Sequence, residues 1–270
     1  MKRVVFGVSV ILFSTVFSLA CLAADRAAAL LDEATNRTAS ALKKIDSDIS
    51  RTAKALGEGL SPGADMRRAL RDLCAGKDYS IDCAFINAKG TMEIIEPEKY
   101  RKHEGSNLKD QPVVSRIHTT RKPVFSELLP AVEGLQGIVF QYPVFNHKKE
   151  FAGSVSMLIS PERMVQECLK DVKLGAGAGI VILQPDGTNI YTSDASQTRL
   201  NVLKSTEYKA FHELREMGER IVKEKEGTAT YRYVKPGTEK VVKKSAVWKT
   251  LPFYDSYWRI VVTTEERQKP

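Results

Sequence analysis

A hairpin pattern that occurs twice constrains the fold more than any other feature of the chain. Phe85-Ile86-Asn87-Ala88-Lys89-Gly90-Thr91 and Ile182-Leu183-Gln184-Pro185-Asp186-Gly187-Thr188 each run from apolar residues into a turn ending in Gly-Thr. Gly90 and Gly187 suit the positive φ of a tight hairpin turn. The copies lie about 100 residues apart, the size of one small domain. After the first come an irregular helical segment (96–122) and three strand-like runs (123–129, 137–145 and 151–159). After the second come a helical stretch (205–224) and three more runs (228–234, 241–251 and 254–264). Two strands, a helical insert and three strands make one antiparallel sheet with helices packed on one face. The expected fold is therefore α+β, with this PAS-like unit present twice. With 43% hydrophobic and 27% charged residues, the chain is neither collagen-like nor disordered.

Two helices precede the first hairpin. Residues 25–56 place Leu31, Thr38, Leu42, Ile45, Ile49, Thr52 and Leu56 at three-and-four spacing, with Lys43, Lys44, Asp46, Asp48 and Arg51 on the other faces. This reads as one long stalk helix whose Thr positions weaken the seam for a continuous coiled coil, and a homodimer through this helix is one expectation. Gly57, Gly59 and Ser61-Pro62-Gly63 end it, and a second helix is expected over 64–73. The expected organisation is an export segment (1–24), a stalk (25–60) and two modules (61–173 and 174–270).

The start of the chain sets the compartment. Met1-Lys2-Arg3 is a basic start before an apolar stretch over 4–24, which is the order of a secretory signal. Three fates fit it. Signal peptidase would cut near Ala23 or Ala24. Ser18-Leu19-Ala20-Cys21 reads as an imperfect lipobox, making Cys21 a lipidation site. The stretch is also long enough to stay as an anchor, since about 20 residues span a bilayer. Each fate puts the remainder outside the cytoplasm, soluble or attached at the N-terminus. In an oxidising compartment Cys74 and Cys83 are expected to form a disulfide closing a short loop, worth roughly 2–3 kcal/mol. Cys168 is expected as a buried thiol on a helix over 161–172.

The charge of +8 is spread along the chain, so it reads as a solvated surface and does not point to nucleic acid. Lys240-Val241-Val242-Lys243-Lys244 reads as an exposed strand whose lysines discourage edge pairing. No metal, cofactor or catalytic constellation is expected. His103, His118, His147 and His212 form no His-Glu-x-x-His, and Gly153-Ser154-Val155-Ser156-Met157 lacks the closing Gly of a nucleophile elbow. Gly175-Ala176-Gly177-Ala178-Gly179 follows a helix and precedes a strand, the reverse of a phosphate-binding order, and reads as a linker.

These features together resemble the double Cache domain, the extracellular PAS-like sensor module of chemoreceptors and sensor kinases. The resemblance covers nearly all of residues 25–265. It rests on the order of Asn107-Leu108-Lys109-Asp110-Gln111-Pro112, Thr120-Arg121-Lys122-Pro123-Val124-Phe125-Ser126, Tyr142-Pro143-Val144-Phe145, Phe151-Ala152-Gly153-Ser154-Val155 and Ser160-Pro161-Glu162-Arg163. It implies that the membrane-distal module holds a small molecule, such as an organic acid, amino acid or amine, between its sheet and its insert. The amino-acid-binding members carry Arg-x-Trp before the third strand, and residues 110–112 lack it. By position, the expected ligand-binding residues are Tyr100, Arg116, His118, Arg121, Ser126, Tyr142 and Ser156. The guanidinium groups suit a carboxylate and the hydroxyls a small polar ligand. Members usually continue into a membrane span and an output domain. This chain stops at Pro270, so signalling is expected through a membrane-bound kinase or chemoreceptor partner, or the protein acts alone as a binder. Two other readings stand beside it: an exported hydrolase whose site is assembled from distant residues, and an assembly module joined by its helix.

Overall fold

The computed structural model describes residues 9–59, 63–234 and 241–266, with side chains from residue 24 onward. Cleavage near Ala23 and lipidation at Cys21 concern side chains outside that description. Helix α1 (Ser9–Gly57) begins inside the apolar segment and runs through the expected stalk. Among the described residues, no helix is long and apolar enough to cross a membrane. Helix α2 (Ala64–Cys74) follows.

The first sheet contains β1 (Ser80–Asn87), β2 (Met92–Glu96), β3 (Val124–Phe125), β5 (Gln136–Phe145) and β6 (Phe151–Ile159), in the order β2-β1-β6-β5-β3. The short β4 (Leu129–Pro130) pairs with β5 off that path. Helix α3 (Pro112–Thr120) lies in the insert, and α4 (Pro161–Leu169) leaves the module. The second sheet repeats the order with β8 (Asn189–Thr192), β7 (Ala178–Leu183), β11 (Ser256–Glu265), β10 (Val241–Phe253) and β9 (Glu226–Val234). Its insert carries α5 (His212–Lys223). Two antiparallel sheets behind a long helix is the α+β arrangement expected from the sequence. The expected strand over 123–129 is shorter, because the chain leaves the sheet after Phe125.

The duplication extends to individual hydrogen bonds. Gly90 and Gly187 share a φ of 87°. The Gly90 carbonyl accepts from the Leu108 amide (2.8 Å), and the Gly187 carbonyl accepts from the Val202 amide (3.0 Å). Thr91 bridges Asn107 as Thr188 bridges Asn201. Each Asn side-chain oxygen then accepts from the amide two residues on, Lys109 or Leu203, at 3.0 Å. These Asx turns anchor each insert to its hairpin.

Strand alternation gives each sheet two buried faces. In the first sheet Cys83, Phe85, Ile138, Phe140, Val155 and Met157 face α1. In the second sheet Ile180, Ile182, Trp258, Ile260 and Val262 do the same, in the same cluster. The apolar stripe of α1, including Leu31, Leu42, Ile45, Ile49 and Leu56, is buried against both sheets of its own chain. A homodimer through this helix therefore has to use its polar faces. Each fully buried Leu or Ile stabilises by about 1.5–3 kcal/mol. The buried Thr35 and Thr38 hydroxyls donate to carbonyls four residues back, at 2.6 and 2.8 Å. That satisfies them inside an apolar seam. The opposite face of each sheet carries its own insert.

The disulfide joins Cys74 to Cys83 with Cα atoms 6.0 Å apart, fastening the end of α2 to β1. Glu96, at 2% exposure, reinforces that junction by accepting from Arg67 (3.1 Å) and Arg101 (2.8 Å). Cys168 is half-buried beside Thr38, and burial raises its thiol pKa.

Gly57 ends α1 against the backbone of Phe145, where a Cβ would overlap the carbonyl oxygen. Gly57→Ala therefore has to push the helix end off the sheet, and it should cost about 1–3 kcal/mol. A lower urea midpoint with an unchanged denaturant slope is the expected result.

Candidate ligand pocket

A cavity of about 40 Å³ lies between the first sheet and its insert. Asp82 on β1, Gln141 on β5 and Ser156 on β6 form its polar floor. Their strand positions share a face, since Ser156 pairs with both Ala84 and Gln141, and Asp82 pairs with the next inward residue, Leu158. Ile86, Leu158, Val113 and Val114 supply apolar walls, and Val132 and Glu133 of the β4–β5 loop complete the lining.

The floor is unusual in its chemistry. Asp82 is 3% exposed and its Oδ2 has no hydrogen-bond partner. Gln141 is 1% exposed; its amide nitrogen donates to Ser154 Oγ (2.8 Å), and its oxygen has no partner. Such groups are costly unless something satisfies them. Burial pushes the Asp82 carboxyl well above the usual carboxylate range, and the charge of Glu133 pushes it further the same way.

The second sheet provides an internal control. Aligning the hairpins carries Asp82 to Gly179, and the strand pairing carries Gln141 to Trp248 and Ser156 to Val261. Trp248 and Val261 are buried in an apolar cluster with Met217, Ile221 and Tyr231. One copy of the duplicated face is thus closed with aromatic packing, and the other keeps polar groups around a void.

Of the seven expected ligand-binding residues, Ser156 alone lines this cavity. Tyr142 is on the other face of β5, packed toward α1. Tyr100 packs on the cluster of Ile86, Met92 and Leu108, which line the cavity, but does not line it itself. Ser126 is buried at the end of β3, where its hydroxyl oxygen accepts from the Val139 amide (2.8 Å). Arg116 donates to the Phe125 carbonyl (3.0 Å) and pairs with Asp255 of the β10–β11 turn (3.1 Å). Arg121 stacks on the Phe151 ring at 3.7 Å, and His118 meets the edge of the same ring at 5.2 Å. Burial lowers the His118 pKa, helped by Arg121 and Lys109. Asp82 and Gln141 were missed by sequence reasoning, although a carboxylate and an amide inside otherwise apolar central strands were the signal.

The raised Asp82 pKa has a thermodynamic consequence. Above its ordinary value of 3.8 the unfolded chain releases this proton while the folded chain retains it. The folded state then binds more protons, so stability falls as pH rises from about 4. Asp82→Asn removes that loss. In thermal melts the variant should match the parent near pH 4 and exceed it increasingly toward pH 7, provided no ligand is present.

Residues 39–161 match the family model described as HK/GC/Chemotaxis protein-like, sensor domain. An extracellular ligand-binding receptor from Desulfohalobium retbaense is similar in structure, with a TM-score of 0.71 and 24% identity over 88% of this chain. This chain spans 40% of that receptor's length. The extracellular domain of the histidine kinase rpHK1S-Z16 gives a TM-score of 0.69 and 15% identity, covering 93% of this chain and 97% of that one. The ligand-binding domain of Mlp24, solved with asparagine, gives 0.65 and 15%, covering 92% and 94%. No relative of curated function matches the chain by sequence.

Proposed function

We propose that the chain, whose fold is similar to those of extracellular sensor domains, is an exported small-molecule sensor whose ligand occupies the pocket over Asp82 and Gln141. The observation that carries this reading is the pair of buried, unsatisfied polar atoms in the first sheet, at positions the duplicate fills with Trp248 and Gly179. In this reading residues 61–173 form the membrane-distal module and 174–270 the proximal one. The extracellular origin of the similar structures and the apolar start of the chain support a place outside the cytoplasm. That Mlp24 was solved with asparagine supports a ligand of amino-acid size.

A cavity of about 40 Å³ holds only a few water-sized groups. A larger ligand enters by displacing Val132 and Glu133, and its arrival reorders the β4–β5 loop. Leu128, just before β4, donates its amide to Gln184 of the second hairpin (2.9 Å). On the reverse of the sheet, Phe140 lies beside the ligand-facing Gln141 on β5. Phe140 and Phe125 both pack edge-on against Phe253 of β10, with ring centres 5.6 and 5.1 Å apart. The next residue, Tyr254, donates to Asp46 of α1. Pocket, aromatic cluster, β10–β11 turn and stalk helix are thus in unbroken contact. Transmission requires that the ligand favour one of two arrangements of this chain of contacts. The recipient is a membrane-bound kinase or chemoreceptor acting with the helix.

Two measurements test the reading. A ligand at 100 times its Kd should add about 2.7 kcal/mol of stability. For a protein of this size that raises Tm by roughly 5–10 °C, and a metabolite screen that moves Tm nowhere contradicts it. Phe253→Ala should bind the same ligand within about threefold while abolishing the ligand-induced change of a fluorophore placed at Lys43. An unchanged fluorescence response would remove the aromatic cluster from the route.

A further inference from the structure

We infer that helix α5 guards the open edge of the second sheet, and that the strand it holds off is β9 of a second copy of this chain, paired antiparallel with Glu226 of each copy opposite Arg232 of the other. This goes beyond the proposed function and does not depend on the ligand.

Among the described strands, β2, β3 and β8 end their sheets with five, two and four residues. Edges this short offer few unpaired backbone groups. The remaining edge, β9, has nine residues, about 30 Å of strand. Its outer side is occupied by side chains of α5. The Arg232 amide donates to Glu213 Oε2 (2.8 Å), and the Thr228 carbonyl accepts from Arg220 (3.0 Å). Neither group is spent on β10, so alternation turns the backbone of Glu226, Thr228, Thr230 and Arg232 outward. Glu213 and Arg220 are two turns apart on α5 and reach over the same edge. Glu213 also holds the Arg232 guanidinium, Nε to Oε1, at 2.8 Å, and Glu224 braces Arg220 at 2.9 Å. In the first module the strand at the matching edge, β3, is too short to need such cover.

The guarded edge is complementary to itself. Antiparallel pairing of two copies about Ala229 sets Glu226 opposite Arg232 twice and Thr228 opposite Thr230 twice, with their outward backbone groups facing. All four of these residues are exposed. Opposite charges and paired threonines are favourable cross-strand neighbours. Sliding the register by two residues in either direction removes both Glu226–Arg232 pairs. Arg232, held by Glu213 in this structure, is also the cation that the second copy requires, so guard and dimer compete for one side chain. Exposed ion pairs are individually weak. A displacement of α5 therefore suffices to release the edge.

The experiment is cysteine cross-linking of the full chain in a Cys168→Ser background. In this pairing Ala229 meets Ala229 of the second copy at a non-hydrogen-bonded position, with Cα atoms about 4.5 Å apart, within disulfide reach. Ala229→Cys alone should cross-link little. Adding Glu213→Ala and Arg220→Ala should raise the yield of disulfide-linked dimer at least tenfold. Adding Glu226→Lys to those should return the yield to its starting level, because like charges then face each other. Adding Arg232→Glu as well should restore the dimer with the charges exchanged. Glu213→Ala without Arg220→Ala leaves Arg220 on Glu224 and the Trp248 ring, and should give an intermediate yield even if the double variant melts early. Equal cross-linking with and without the guard would overturn the role of α5. Cross-linking that Glu226→Lys leaves unchanged would overturn the register. A folded Glu213→Ala variant that cross-links no more than the parent, or that grows into large aggregates instead of dimers, would overturn the second copy as the occupant.

Discussion

Everything in this molecule depends on the burial of one helix against two sheets at once. The apolar stripe of α1 is the shared wall of both modules, and Leu42, Ile45 and Ile49 are almost completely inaccessible. With one face of each sheet committed to that wall, only the opposite face is free to vary. Each copy has used that freedom differently. The second copy packs Trp248 against Met217 and Tyr231, which fills that face with apolar side chains and adds stability. The first places Asp82 and Gln141 there, which costs stability and leaves acceptors for a guest to satisfy.

The same constraint makes the pocket and the stalk neighbours. Successive residues of β5 point to opposite faces, so Gln141 looks into the cavity while Phe140 looks toward the aromatic cluster beneath. A change that shifts β5 is felt on both sides because the packing is dense. The β10–β11 turn closes the circuit, touching α3 through Arg116–Asp255 and α1 through Tyr254–Asp46. The exposed Arg116–Asp255 pair contributes at most about 1 kcal/mol. The aromatic packing around Phe253 is the stronger mechanical link.

Much of the fold was legible in the sequence, because it follows from periodicity. The repeated Gly-Thr hairpins announced two equivalent sheets, the three-and-four spacing announced α1, and the spacing of Cys74 and Cys83 announced the disulfide. The pocket was far less legible. Arg116, His118 and Arg121 looked like ligand-binding residues because polar groups in an insert are conspicuous, yet they spend their hydrogen bonds and ring contacts on Phe125, Asp255 and Phe151. Tyr142 carried a useful hydroxyl on the wrong side of its strand for this cavity, and strand parity only becomes certain once the register is known. Asp82 and Gln141 were visible as polar interruptions of apolar strands. Their meaning emerged only when the second copy showed what the same positions hold when no cavity is needed.

The most direct test of this account is a crystal structure of the chain purified without refolding, at a resolution that defines small ligands. The account predicts a bound molecule between the first sheet and its insert, with a donor group within hydrogen-bond distance of Asp82 and the loop around Glu133 closed over it. A first-sheet cavity that collapses onto its own side chains, or a ligand seated instead on the Trp248 side of the second sheet, would contradict it.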